Sequence, residues 1–171
     1  MKTAAVLAAL ALALVLQATL AGMSMAAGTR VNLVVVAVVY AALAYGPVTG
    51  MLAGTAGGLA QDAIAGGIVG VGGLSKTIVG FLVGVLGAQF IVTTTIPRLV
   101  MFVAASLVHE VCFQALSALV ESHGFRMQYS AAFVQALVNG LVGILAFFLV
   151  ERGPDLVQRR SWRTASSRRR Y

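Results

Sequence analysis

The adjacent pair His109-Glu110 is the opening of an H-E-x-x-H pattern, in which two histidines one helical turn apart hold zinc and the glutamate serves as a base. Here the chain reads His109-Glu110-Val111-Cys112-Phe113, so the second imidazole is missing. Neighbouring helical positions also point about 100° apart, so His109 and Glu110 do not form a catalytic pair by themselves. Interhelical hydrogen bonding, or a place near the outer interface, is the plainer use, with a proton relay as the functional alternative. Cys112 is the sole cysteine, which excludes a disulfide and a cysteine metal cluster, and it reads as a small buried hydrophobe. Ser75 next to Lys76 lacks the S-x-x-K spacing of an activated serine. Lys76-Thr77 ends like a phosphate-binding loop, but Leu74 and Ser75 occupy the stretch where the glycine before the lysine is required. No enzyme is expected, and neither a metal nor a cofactor.

What remains is a charge in an apolar setting. Gly50, Gly54 and Gly58 stand four apart, so on a helix they form one bare stripe against which another helix backbone can lie closely. Asp62 follows one turn farther along that face. A carboxylate there is costly unless it meets a partner or a wet cavity. Lys76 lies beyond the glycine-rich stretch 66–73, and Asp62 and Lys76 are expected to approach as an ion pair. Gly80 and Gly84 continue the small-residue surface on the next helix. Together with Gly50, Gly54 and Gly58 they are candidates for helix packing or for docking a partner's transmembrane helix.

The elements that carry these residues are membrane helices. Of 171 residues, 60% are hydrophobic and only 10% charged, whereas soluble domains have about 45–50% and about 25%. At roughly 20 residues per crossing the chain fits about six spans. The expected fold is an all-α integral membrane protein, a six-transmembrane-helix bundle over residues 1–152, with spans near 3–22, 31–45, 48–65, 75–93, 98–120 and 129–150. The first could instead be a signal peptide cut after Ala21, but it is near span length and is followed by more membrane helix, so an uncleaved helix is favoured. The third could be a re-entrant segment, since its glycines, Gln61 and Asp62 need shelter by other helices. Residues 66–73 read as a flexible loop, 93–98 as another, and Gln135 and Asn139 as polar packing groups of the last span.

Seven of the twelve cationic residues, Arg152, Arg159, Arg160, Arg163, Arg168, Arg169 and Arg170, crowd the end of the chain. Residues 153–171 are read as a basic cytoplasmic tail without a fold of its own, touching anionic lipids or setting topology. Six spans with both termini in the cytoplasm place nine cations inside against Arg30, Lys76 and Arg126 outside. Nucleic-acid binding is not expected, since the tail offers only Trp162 and Tyr171 as aromatics.

Gly46-Pro47, then Gly50, Gly54, Gly58 and Leu59 leading to Asp62, then Gly72-Gly73-Leu74-Ser75-Lys76-Thr77 leading to Gly80-Phe81, resemble the bacterial rod shape-determining MreD family. The motif resemblance covers residues 46–85, while span number, length and basic end agree across the chain. It implies a non-catalytic subunit of the cell-elongation (rod) complex in the bacterial inner membrane, supporting cell shape and lateral peptidoglycan synthesis. The implied partners are MreC and, through the complex, MreB, RodA and the elongation-specific penicillin-binding transpeptidase. The implied bundle is similar to the substrate-binding subunits of energy-coupling-factor transporters. That kinship gives the alternative function, a membrane subunit binding a vitamin-type small molecule.

Overall fold

The computed structural model describes residues 2–20, 31–66, 68–90, 94–121 and 129–167, with residues 2 and 151–167 as backbone only. Its elements are α1 (Lys2–Leu20), α2 (Leu33–Tyr45), α3 (Pro47–Ala65), α4 (Val71–Gln89), α5 (Thr95–Glu121) and α6 (Tyr129–Ser167). Segments of α1, α4, α5 and α6 are long and apolar enough to cross a membrane. Two helices fall short of that description for different reasons. At 13 residues α2 spans about 20 Å, well under a hydrocarbon core of roughly 30 Å. The 19 residues of α3 suffice in length, at about 28 Å, but carry too many glycines and polar groups to count as apolar.

Both are sheltered. Val34, Val35, Val38, Val39, Ala41 and Ala42 of α2 are all nearly inaccessible, which makes it the central post of the bundle. One side packs with Val79 and Val83 of α4 and with Phe102 and Ala105 of α5. The other meets Val6, Leu10 and Ala13 of α1 and Ala53 of α3. A run of apolar residues with no polar face suits a helix surrounded on every side. Conversely, the outward residues of the remaining helices are apolar too, among them Leu12, Leu52, Phe81, Val100 and Leu145. Lipid is the solvent such a surface fits.

The glycine stripe binds α3 to α4, which share the largest helix–helix interface. A methyl group at Gly58 would stand 2.5 Å from the Cα of Gly73 and 2.7 Å from the carbonyl oxygen of Gly72. At Gly50 it would meet the carbonyl of Gly80, at Gly54 the backbone of Lys76, and at Gly84 the backbone of Pro47. All five of the predicted packing glycines, Gly50, Gly54, Gly58, Gly80 and Gly84, are buried in this way. The stripe is thus occupied by the chain's own helices, and it is not a surface on which a partner helix can lie. Gly46 turns the chain between α2 and α3 at φ 92°, and Pro47 opens α3, where no N–H is missed.

Several boundaries differ from the sequence expectation. The glycine-rich stretch 66–73 is not all loop: α4 begins at Val71, so Gly72 and Gly73 form its first turn. Thr95-Ile96-Pro97 open α5 rather than closing a loop, because proline is tolerated in a first helical turn. The third segment is one uninterrupted helix packed along α4. Helix α6 continues through Pro154 to Ser167, although its apolar crossing portion ends at Val150, so the basic end is helical where no fold was expected. Ala21, Arg30, His123, Arg126 and Arg168 to Arg170 lie outside the described residues, as do the side chains of Arg152, Arg159, Arg160 and Arg163.

The seam yields a graded expectation. Gly58→Ala forces two backbones apart and should destabilise the purified protein by roughly 1–3 kcal/mol. Gly87→Ala presses closely only on the side-chain end of Leu43, at 2.9 Å, with its Cα at an ordinary 3.9 Å, and should cost under about 1 kcal/mol. Unfolding by heat or by titrated SDS in detergent micelles measures both, and equal losses would contradict backbone contact as the cause.

Candidate functional site

The described residues include six buried polar or charged side chains, Asp62, Ser75, Lys76, Ser106, His109 and Asn139. All six belong to one hydrogen-bonded network, near the α3–α4 turn and the start of α2. That start is the reason such a network is needed. A helix beginning inside the bundle carries N–H groups with no intrahelical partner and no water to turn to.

These groups are met by the helix's own N-cap residue and by two other helices. The N-cap residue Asn32 accepts from the N–H of Val35 through Oδ1 at 3.2 Å. Its own N–H donates to Oδ1 of Asn139 on α6 at 3.0 Å. The N–H of Leu33 donates to Oε1 of Gln17 on α1 at 2.7 Å, while Gln17 Nε2 donates to the carbonyl of Val31 at 2.9 Å. Asn139 Nδ2 donates in turn to Oγ of Ser106 at 3.3 Å. Since Gln17 lies on α1 and Leu10 of the same helix fills the space over Gly57, α1 is an integral part of the bundle.

The hydrogen bonds through His109 run in one direction. Asn32 Oδ1 is engaged as an acceptor by Val35, so its amide nitrogen faces His109 Nε2, 3.2 Å away. An amide nitrogen only donates, and Nε2 must accept. The ring proton is therefore on Nδ1, which donates to Ser75 Oγ at 3.2 Å. Ser75 passes its own hydrogen to the carbonyl of Gly72 at 3.0 Å. A serine beside a histidine invites comparison with a nucleophile and its base. Here the imidazole nitrogen facing the hydroxyl already carries a proton, so it cannot remove another. The pair is a structural relay of donors.

Asp62 has an equally definite use. Its Oδ2 accepts from the N–H groups of Gly70 at 2.9 Å, Gly72 at 2.9 Å and Gly73 at 3.2 Å. These are the free amides at the start of α4, and a carboxylate there also meets the positive end of the helix dipole. Gly72 is pressed so closely on this carboxylate that a Cβ would overlap Oδ1. Gly70, at φ 112°, holds the turn in a left-handed conformation that favours glycine. Lys76 does not pair with Asp62 directly: among the described residues no ion pair within 4 Å joins them. Its ammonium donates to the carbonyl of Gly72 at 3.4 Å, so the two side chains hold opposite ends of the same residue. Asp62 and Glu110 both act on Lys76 electrostatically from farther away.

Asn32, Gln17 and Ser106 were not singled out in the sequence as site residues. For Asn32 the signal was present, an Asn immediately before an apolar run, which marks a helix start. For Gln17, in an alanine-leucine run, none was. No set of three or more His, Cys, Asp or Glu side chains placed to hold a metal occurs among the described residues. Cys112 is free and half-buried.

Two measurements follow from this wiring. Solid-state NMR of the protein labelled with 15N-histidine should show the buried ring neutral and protonated at Nδ1; protonation at Nε2 would reverse the chain of donors. Exchanging the charges, Asp62→Lys with Lys76→Asp, should fail to restore the stability lost by Asp62→Lys alone, because an ammonium cannot accept three N–H bonds. Recovery to wild-type stability in the double variant would show that a charge pair, not the cap, is what matters.

One protein family, described as rod shape-determining protein MreD, matches residues 2–152. No curated protein and no solved structure matches the chain.

Proposed function

The chain belongs to the rod shape-determining protein MreD family, and on that footing we propose that it serves the cell-elongation complex as a non-catalytic scaffold in the bacterial inner membrane. Family membership carries a role in rod shape determination, and with its four long apolar helices the chain is an integral membrane protein. Beyond that, α2 and α3 cross together with the other four helices, which makes a six-span bundle with both termini in the cytoplasm. The distribution of nine cations to three favours that orientation.

In this reading the bundle docks the transmembrane helix of MreC and, through the complex, supports MreB, RodA and the elongation-specific penicillin-binding transpeptidase. The basic end of α6 lies against anionic lipid headgroups. The observation that carries the non-catalytic assignment is the direction of the Asn32–His109–Ser75–Gly72 chain, in which every polar group is spent on holding helices together. Because Gly50, Gly54, Gly58, Gly80 and Gly84 are used between α3 and α4, docking falls to another face of the bundle.

Cells depleted of the protein should lose rod shape, and Ser75→Ala should restore it, at a stability cost of about 1 kcal/mol for the lost hydroxyl bonds. Rounded cells containing normally folded Ser75→Ala protein would contradict a structural role for the hydroxyl. Crosslinking in intact membranes, followed by purification of the tagged protein, should recover elongation proteins. Recovery of a tightly bound vitamin without them would instead favour a transporter subunit.

A further inference from the structure

Glu110 is a half-buried charged side chain that the network does not explain. It lies in α5 about 22 Å from Thr95 and about 16 Å from Glu121, well inside the stretch long and apolar enough to cross a membrane. It is half-buried, and its one hydrogen-bond donor is Nε2 of Gln114, one turn along, at 2.7 Å. Gln114 is thereby left with a buried Oε1 that has no donor. Two acceptors thus stand one above the other on the same face of α5. Asn139 of α6 is bonded to Ser106 of α5, so in this antiparallel pair Glu110 stands at the level of Gln135, also half-buried.

The charges at this depth do not balance. Two carboxyl groups, Asp62 and Glu110, act on one ammonium, Lys76. The demand of Asp62 is met by three amides and a helix dipole. Lys76 is enclosed at 2% exposure and directs its hydrogen bond to Gly72, not to Glu110. Arg98, on the same helix, is about 18 Å away along the axis and lies over the ring of Phe147. A carboxylate at the lipid boundary of a span, without a cation of its own, calls for one from outside.

We propose that the outer half of the α5–α6 face, centred on Glu110 and Gln114, docks a transmembrane helix that presents an arginine or lysine within the membrane. Glu110 receives the charge, while Gln114, donating to it from one turn away at 2.7 Å, holds the carboxylate in place. Among the described side chains a second copy of this chain offers no fitting cation, since Lys76 is enclosed and Arg98 lies at the other end of α5. This deepens the scaffold reading and rests on its claim that a partner helix is docked. It adds a face and the chemistry of the partner.

The test uses the full-length protein in phosphatidylcholine–phosphatidylglycerol vesicles, with a photo-crosslinking residue in place of the exposed Val111. The probe is a leucine-alanine transmembrane peptide carrying one arginine at the depth of Glu110, compared with the same peptide carrying leucine there. The arginine peptide should label about tenfold more strongly, and Glu110→Gln should reduce it to the level of the leucine peptide. Glu110→Asp, which keeps the charge, should retain the preference and guards against loss through misfolding, as does an unchanged unfolding temperature of Glu110→Gln. Equal labelling by the two peptides, a preference that survives Glu110→Gln, or labelling mainly of a second copy of the protein would each overturn the proposal. If the peptide preference is absent while elongation proteins are still recovered from crosslinked membranes, the docking face is wrong and the scaffold role stands. If neither is seen, the scaffold reading falls as well.

Discussion

A helix that starts among packed helices must find partners for its first amide groups within the protein, because its apolar neighbours offer none. Helix α2 is in this position, and most of the bundle can be understood as the answer to it. It has only 13 residues, yet Val34, Val38 and Val39 are fully enclosed. Each unsatisfied N–H in such a place would cost several kcal/mol. Gln17 of α1, Asn139 of α6 and the N-cap residue Asn32 remove that cost. His109 then fixes the orientation of Asn32, and through Ser75 it ties the cluster to the start of α4.

The same problem is solved a second way at the start of α4, where Asp62 reaches across from α3 to three amides. This works because the two helices touch at the level of their backbones. A seam of glycines brings the carboxylate within 3.2 Å of Gly73, and any side chain at Gly72 would displace it. Close packing and polar satisfaction are therefore one arrangement here. An acid among glycines looks expensive in isolation, but its burial is offset by the charge-assisted bonds and the dipole that the glycines make accessible.

The membrane character, the six helices and the glycine contact were legible in composition and spacing, because these depend on local sequence. Gly50, Gly54 and Gly58 announce a close helix contact by their four-residue interval, though not whether the neighbour belongs to the same chain. The identity of Asp62 as a residue needing a partner was equally plain. Its partner was not, since three amides carry no side-chain signature, and Lys76 drew attention only by its charge. Gln17 and Asn139 meet across more than 100 residues of chain at one short helix end, a coincidence that no local pattern records. Pro97 and the glycines at 72 and 73 misplaced helix starts for a simple reason: residues that break a helix internally are permitted in its first turn.

The position of Asn139 in the sequence bears on how the protein is made. Gln17 emerges first during synthesis, Asn32 soon after, then Asp62, Ser75 and His109, and the acceptor for the Asn32 amide arrives only with the sixth helix. Every shorter nascent chain therefore holds an unanswered amide at the start of its central helix. Until α6 has been made, the polar interior at that helix start is still open.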